Sequence, residues 1–483
     1  MSSMDRRALL RRAAATAAGA SLAAGPFQGF FTSAAAASPA RAGRPLGYGP
    51  LRRVTDLRDG QVRLLLPDGF SYRSFDPTGA SLTDGTLIPG RHDGMAAFRG
   101  RHGTSILIRN HEVNGPVGAF GDTQKAYDPM AGGGTTTVEV DETGNVQRNF
   151  TSLNGTQMNC SGGPMPWGSW ITCEETVNGP DVGNDFTGQN NSLLTQKHGY
   201  IFEVPVDGHA VAQPIRSAGR FAHESAAYDA HSRAVYLTED DFAFPSGFYR
   251  YLPPTNPMRT KRLDDGGRLQ MLAVSGRPNA DLAGQNEPAP AVGSRFDVTW
   301  VDIDEPDPSF SVGTTNDQAI QAVASQGLAK GAAIFARLEG AAADRNTIYF
   351  CSTQGGAQPP GASDPSGFGK GRGQIWAYHT PSEMLHLLYE SPSAEVLDLP
   401  DNITTSRTGT LVICEDGGDG NFLRGLTTDG RIFDFAKNAI AGRVDDEFAG
   451  ATFSNNWETL YVNIQASQGL SFAIWGPWGG GGF

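Results

Sequence analysis

Charge and cysteine are both scarce in this sequence. Charged residues make up 18% of 483, and there are four cysteines. The low charge, with 62 Gly and 30 Pro, argues against a helical bundle or a coiled coil and for many short strands joined by tight turns. No pair of cysteines has the spacing of a zinc site, and no G-x-S-x-G elbow for a serine nucleophile is present. Beyond the N-terminus, no segment reaches the roughly 18 consecutive apolar residues that a membrane helix needs. Bases are outnumbered, 38 against 51 acids, for a net charge of −13, which argues against nucleic acid or an anionic membrane surface as the main partner. An acid excess serves solubility, or it marks carboxylates that converge on cations. The positions of the acids decide between these.

What is present begins with a leader. Residues 1–13 read MSSMDRRALLRRA, an Ala-rich stretch follows to Ala24, and small residues at 34–37 offer cleavage sites. This resembles a twin-arginine export signal over residues 1–37. It predicts passage through the twin-arginine translocase and a secreted or periplasmic mature protein. Residues 38–49 read as a linker, 50–478 as one domain, and the Gly-rich tail 479–483 as unordered.

Within the domain one pattern recurs. A run of β-branched and aromatic residues ends in polar or acidic ones, and a second strand-like run follows. The first runs are SILIRNHE from Ser105, SWITCEET from Ser169, AVYLTEDD from Ala234, TIYFCSTQGG from Thr347, TLVICEDGGDG from Thr410 and TLYVNIQ from Thr459. Six such pairs predict an all-β, six-bladed β-propeller in which these runs are the inner strands. The long interval at about 254–336 reads as an insertion. Its Ala/Gln-rich part, 316–337, predicts a helix capping the channel. A closed propeller has no free edge to demand a partner, so a monomer is expected.

The acids sit where such runs end. Glu112, Glu174 or Glu175, Glu239, Asp240 and Asp416 come from different blades and would meet near one axis. Carboxylates gathered out of water repel unless cations compensate them. Oxygen ligands suit calcium, whereas a nearby thiolate favours a softer metal such as iron. GRFAHES adds His223 and Glu224, FARLEG adds Arg337 and Glu339 on one face of an extended segment, and LPDNITTS adds Asp401 and Asn402. Beside such acids a guanidinium suits a phosphoryl oxyanion, since its planar fork can hold two oxygens. Cys160 lies in the Gly-rich turn NCSGG, whereas Cys173, Cys351 and Cys414 lie in apolar runs as small hydrophobes.

At these residues the sequence resembles the PhoX alkaline phosphatases. The shared landmarks are NHE at 110–112, NCSGGPMPWGSWITCEE at 159–175, GRFAHES at 219–225, TEDD at 238–241, RLEG at 337–340, DNIT at 401–404, CEDGGDG at 414–420 and EFAGATFSNNWETLYVNIQ at 447–465. The resemblance implies hydrolysis of phosphate monoesters at a pair of ferric ions and calcium ions in the channel, without a serine nucleophile. It implies Cys160, Glu175 and Glu224 at the iron pair and Glu112, Glu239 or Asp240, Glu339 and Asp416 toward calcium. Arg337 would hold the substrate phosphate, with Asn110, His223, Asp401 and Asn402 as further polar residues of the site. Two other functions fit channel acids: a calcium-dependent lactonase-like hydrolase, and a non-catalytic calcium-binding propeller.

Overall fold

The computed structural model describes residues 46–362 and 366–483; the predicted signal and most of the linker lie outside them. The described chain is nearly all β, in a propeller-like arrangement of antiparallel sheets. Five of its innermost strands begin one residue before a prominent polar side chain: His92–Arg99, Asn159–Met165, His223–Asp229, Leu338–Asp344 and Pro400–Thr405. Phe448–Phe453 follows as the last of the series. They succeed one another around a closed ring.

Short bonds between neighbours hold this ring. Asn110 donates to the carbonyls of Cys160 and Ser161 at 3.0 and 2.7 Å. The Ser225 hydroxyl donates to Gly162 O at 2.8 Å and accepts from Ala341 N at 2.9 Å. A Cβ at Gly340 would lie 2.6 Å from Asn402 Cα, so a larger residue would force these two strands apart. Asn402 Oδ1 takes Gly450 N at 2.6 Å, and Asn463 donates to Asp93 O at 2.5 Å.

Each innermost strand pairs with one of the runs singled out in the sequence, namely Ser105–His111, Ser169–Glu174, Ala234–Glu239, Thr347–Ser352, Leu411–Glu415 and Thr459–Ile464. Those runs were expected to be the inner strands. They are second strands, one layer further out. Most of the true inner strands were hidden because at the crowded axis they carry Gly, Ala or Ser, as in HDGMAA, NCSGG, HESAA and LEGAA, and Pro400–Thr405 because it opens on Pro, Asp and Asn, residues rare in strands. Ser71–Phe75 pairs with Leu470–Trp475, so an N-terminal strand completes the last sheet and locks the ring shut.

The interval at about 254–336 is less of an insertion than expected. Arg268–Val274 is a regular strand of the third sheet, and Arg295–Asp302 joins that sheet to Met384–Glu390. The expected single helix over 316–337 is instead two short ones, Asn316–Ile320 and Ala322–Ala329. Thr315 caps the first with a capping box. Gly331, at φ 89°, turns the chain after the second, so Arg337 lies outside any helix. The tail expected to be unordered ends in Phe483, which is buried against Phe433, Phe435 and Trp478. Tyr48, at the end of the predicted linker, packs in the same cluster.

Candidate metal and phosphate centre

One backbone device repeats at the start of every innermost strand. The residue that follows each second strand donates its N–H to the residue that precedes the innermost one: Glu112 to Arg91, Glu175 to Met158, Asp240 to Ala222, Thr353 to Arg337, Asp416 to Leu399 and Gln465 to Glu447, at 2.9–3.1 Å. A β-bulge follows at each place. Bulges re-aim side chains, and these aim Asp93, Cys160, Glu224, Glu339 and Asp401 into one group. Arg91, Met158, Arg337 and Leu399 hold positive φ of 42–51°, an uncommon conformation for such residues.

Among the described residues two sets are close enough to hold ions. The ligand atoms of Cys160, Glu175 and Glu224 lie within 4.8 Å of one another, as do those of Glu224, Glu339 and Asp401. Glu224 belongs to both sets and is fully buried. Its Oε2, like Asp93 Oδ1, has no hydrogen-bond partner among the described residues. Burial and the neighbouring Glu339 and Asp401 push the Glu224 carboxyl far above the usual range. Glu112 is raised to about 7 by burial and Asp401 to about 8 by burial and Asp416. The Cys160 thiol is likewise pushed up by burial, with Asp93, Glu224 and Glu175 adding to it. Left to themselves these groups hold protons. A multivalent cation is what would let a buried thiol and these acids ionise together, so the donor set fits bound metal.

The strand period sorts the paired acids. In Glu174-Glu175, Glu239-Asp240 and Glu415-Asp416 the second acid turns to the centre and the first into its own sheet. Glu239, expected among the metal ligands, accepts from Gly247 N and Tyr249 Oη, both at 2.8 Å, and belongs to neither ion-sized set. His223 also turns away. It stacks on Phe221 with ring centroids 3.6 Å apart, bonds Gly219 O, and is pushed down to about 3 by burial. Asn110 is outside the acid group and fixes the Cys160 bulge from behind, with Trp170 and Thr172 donating to its Oδ1. Asn402 ties the group together, donating to Asp401 at 3.0 Å and to Glu224 at 3.5 Å.

Arg337 forks onto Asp240, with Nε and Nη2 contacts of 3.0 and 2.6 Å, and reaches Glu339 at 3.1 Å. The geometry brings in four residues that the sequence reading did not assign to the site: Asp93 and Arg91, and Glu447 and Gln465 at the two ends of a family landmark. Gln465 donates to Asp93 Oδ2 at 2.6 Å. Burial and the charges of Asp416, Asp401 and Asp93 push Glu447 well above the usual carboxylate range. A signal for Asp93 existed. HDGMAA at 92–97 is similar to HESAA at 223–227 and LEGAA at 338–342, an acid then a small residue then alanines, with Met95 intervening in the first.

This geometry agrees with the comparisons. The family model described as alkaline phosphatase PhoX matches residues 46–149 and 143–468. The chain belongs to the PhoX alkaline phosphatase family. As a member it is a metal-dependent phosphatase, and the PhoX match covers every acid of the centre. Among solved structures, PhoX of Pseudomonas fluorescens in complex with vanadate is similar at 16% identity, covering 91% of this chain and 99% of that one, with a TM-score of 0.60. That likeness supports the propeller-like fold. A gluconolactonase of Xanthomonas campestris, at 14% identity over 91% of this chain and 99% of that one, has a TM-score of 0.35. No curated protein matches in sequence.

Proposed function

We propose that this PhoX-type phosphatase hydrolyses phosphate monoesters at a mixed iron and calcium centre held by Cys160, Glu175, Glu224, Glu112, Asp240, Glu339, Asp401 and Asp416, with Asp93 and Glu447 completing the cage. The observation that carries this is the pair of ion-sized sets sharing Glu224, one with a thiol and one all-carboxylate. A thiolate site suits iron, and an all-oxygen site suits calcium. Bound cations would draw charge from the phosphoryl oxygens and stabilise the transition state. The chain's own part is positioning. The bulges fix the donors, Asn402 orients Asp401 and Glu224, and Arg337, held by Asp240 and Glu339 through Nε and Nη2, offers Nη1 to a phosphoryl oxygen from the rim. Vanadate bound to the Pseudomonas fluorescens relative, named there as a transition-state analogue, supports placing the phosphoryl group in the same channel.

The same reading takes the ring of innermost strands as six blades. It takes the helical segment as a partial cap, because Ala319 packs on Val177 and Val182 just beyond Glu175. Export by the twin-arginine route and a monomeric state complete the proposal. Two substitutions test the roles of single residues. Cys160→Ala is expected to lose iron and activity together, and retained iron contradicts the thiolate assignment. Arg337→Ala is expected to lower kcat/KM by at least about 100-fold with little change in melting temperature; equal loss of both contradicts its substrate role.

A further inference from the structure

Arg337 has a counterpart that the activity does not yet use. Arg91 occupies the equivalent place, one residue before an innermost strand, with φ 51° against 46° for Arg337. Around the ring, the strand that follows Arg91 and the strand that follows Arg337 are three places apart, so the two arginines face the centre from opposite sides. Their surroundings differ. The Arg337 side chain is 16% exposed and doubly held by Asp240 and Glu339. The Arg91 side chain is 52% exposed. Among the described residues its guanidinium makes two long contacts, both from Nη1, of 3.5 Å to Glu112 and 3.4 Å to Gln465.

Arg91 lines a cleft of about 590 Å³ that also touches Asp416 and Glu447 of the acid group. A substrate whose phosphoryl group sits among those acids can send its remaining part into this cleft. The walls are polar: Arg443, Gln465, Ser467 and Gln468 contribute, and the one small apolar side chain is Ala466. Arg443 is already neutralised by Asp446 at 2.5 Å and bonds Gln468 O at 2.9 Å. Asp416 and Glu447 belong to the metal cage. Asp445 on the rim opposes an anion, which leaves Arg91 as the cation with donors to spare.

We propose that Arg91 is a specificity-determining residue that binds a second anionic group on the leaving-group side, so that phosphoesters whose alcohol carries a carboxylate or phosphate are preferred. This rests on the phosphatase function and names a substrate class for it. Phosphoglycerate and glycerol phosphate make a matched pair of probes, since one carries a carboxylate where the other carries a hydroxymethyl group. With the metal-loaded full chain, the ratio of their kcat/KM values is expected to favour phosphoglycerate. It should fall about tenfold in Arg91→Ala, the size of one charge-assisted hydrogen bond, and recover in part in Arg91→Lys. A ratio unchanged within twofold in Arg91→Ala overturns the proposal while leaving the phosphatase function intact. Hydrolysis of neither ester by the wild type would overturn both. Should Arg91→Ala fail to fold, the wild type decides: the preference for phosphoglycerate is expected to shrink as ionic strength rises, and a salt-independent ratio overturns the proposal.

Discussion

Glu174 and Glu175 are neighbours in the chain and opposites in chemistry. Glu174 takes N–H groups from Gln157, Gly199 and Tyr200 and the ring of His198, at 2.6–3.1 Å. Glu175 has Cys160 and Glu224 beside it, and burial and the charges of Asp240 and Glu112 push it far above the usual carboxylate range. The same division holds for Glu415, which is served by Arg424 and two backbone N–H groups, against Asp416, which lines the cleft. In these two pairs the first acid is satisfied by protein and stabilises its sheet, and the second accepts no hydrogen bond from a protein N–H among the described residues. The Glu239–Asp240 pair does not keep this division, since Arg337 holds Asp240 and Glu239 Oε1 has no partner among the described residues. An acid at a strand end without a hydrogen-bond donor points to a ligand, and a satisfied acid neither points to one nor excludes it.

Breaking the comparison on its functional side gives the largest effect. Glu224→Gln is expected to lower kcat at least about 100-fold and to reduce bound metal. After chelation the same variant should melt higher than chelated wild type, because folding no longer has to protonate that buried carboxyl. Calorimetry with metal analysis checks both; a chelated variant that melts lower contradicts the account. Breaking it on the structural side reverses the pattern. Glu174→Gln leaves the buried His198 without its nearest carboxylate and is expected to cost about 3 kcal/mol in denaturant unfolding. Its kcat per folded molecule should fall far less than that of Glu224→Gln.

Two pH profiles sharpen the same contrast with smaller effects. Glu112 and Asp401 have folded values of about 7 and 8, above their ordinary ones. Their protonated forms are therefore favoured by folding. In chelated protein stability should be full below their ordinary values of 4.5 and 3.8 and fall as pH rises from there until it passes about 7 and 8; bound metal should abolish that slope. His198, raised to about 9 against burial by Glu174 and Asp128, acts within the sheet and independently of metal. Its contribution is present below pH 6.5 and lost as pH rises through about 9, so a His198→Asn variant should show a flatter stability profile over that window in the metal-loaded protein too.

Much of this was legible before the structure. The six strand runs, the acids that end them and the placing of Cys160 apart from the other cysteines all follow from residue type and spacing. All four cysteines are free thiols, three of them inside apolar strands. What the sequence hid has physical causes. Most innermost strands are rich in small residues because the axis is crowded, so they lack a strand signature. Glu239 was grouped with Asp240 because adjacency in sequence does not say which face of a strand an acid takes until the register is known. Arg91, Glu447 and Gln465 fall at positions equivalent to candidate site residues, yet that equivalence rests on backbone hydrogen bonds that no residue pattern reveals. Phe483 was lost behind four glycines, although its ring packs in the aromatic cluster of Phe433, Phe435 and Trp478.

The most direct measurement is phosphate release from p-nitrophenyl phosphate by the purified protein, with metal content determined on the same sample before chelation, after it and after metal is restored. Activity that disappears with the metals and returns with them, while chelated protein stays folded at acidic pH, is the predicted result. Full turnover from protein shown to be metal-free would contradict the claim that these unsatisfied acids exist to hold metal.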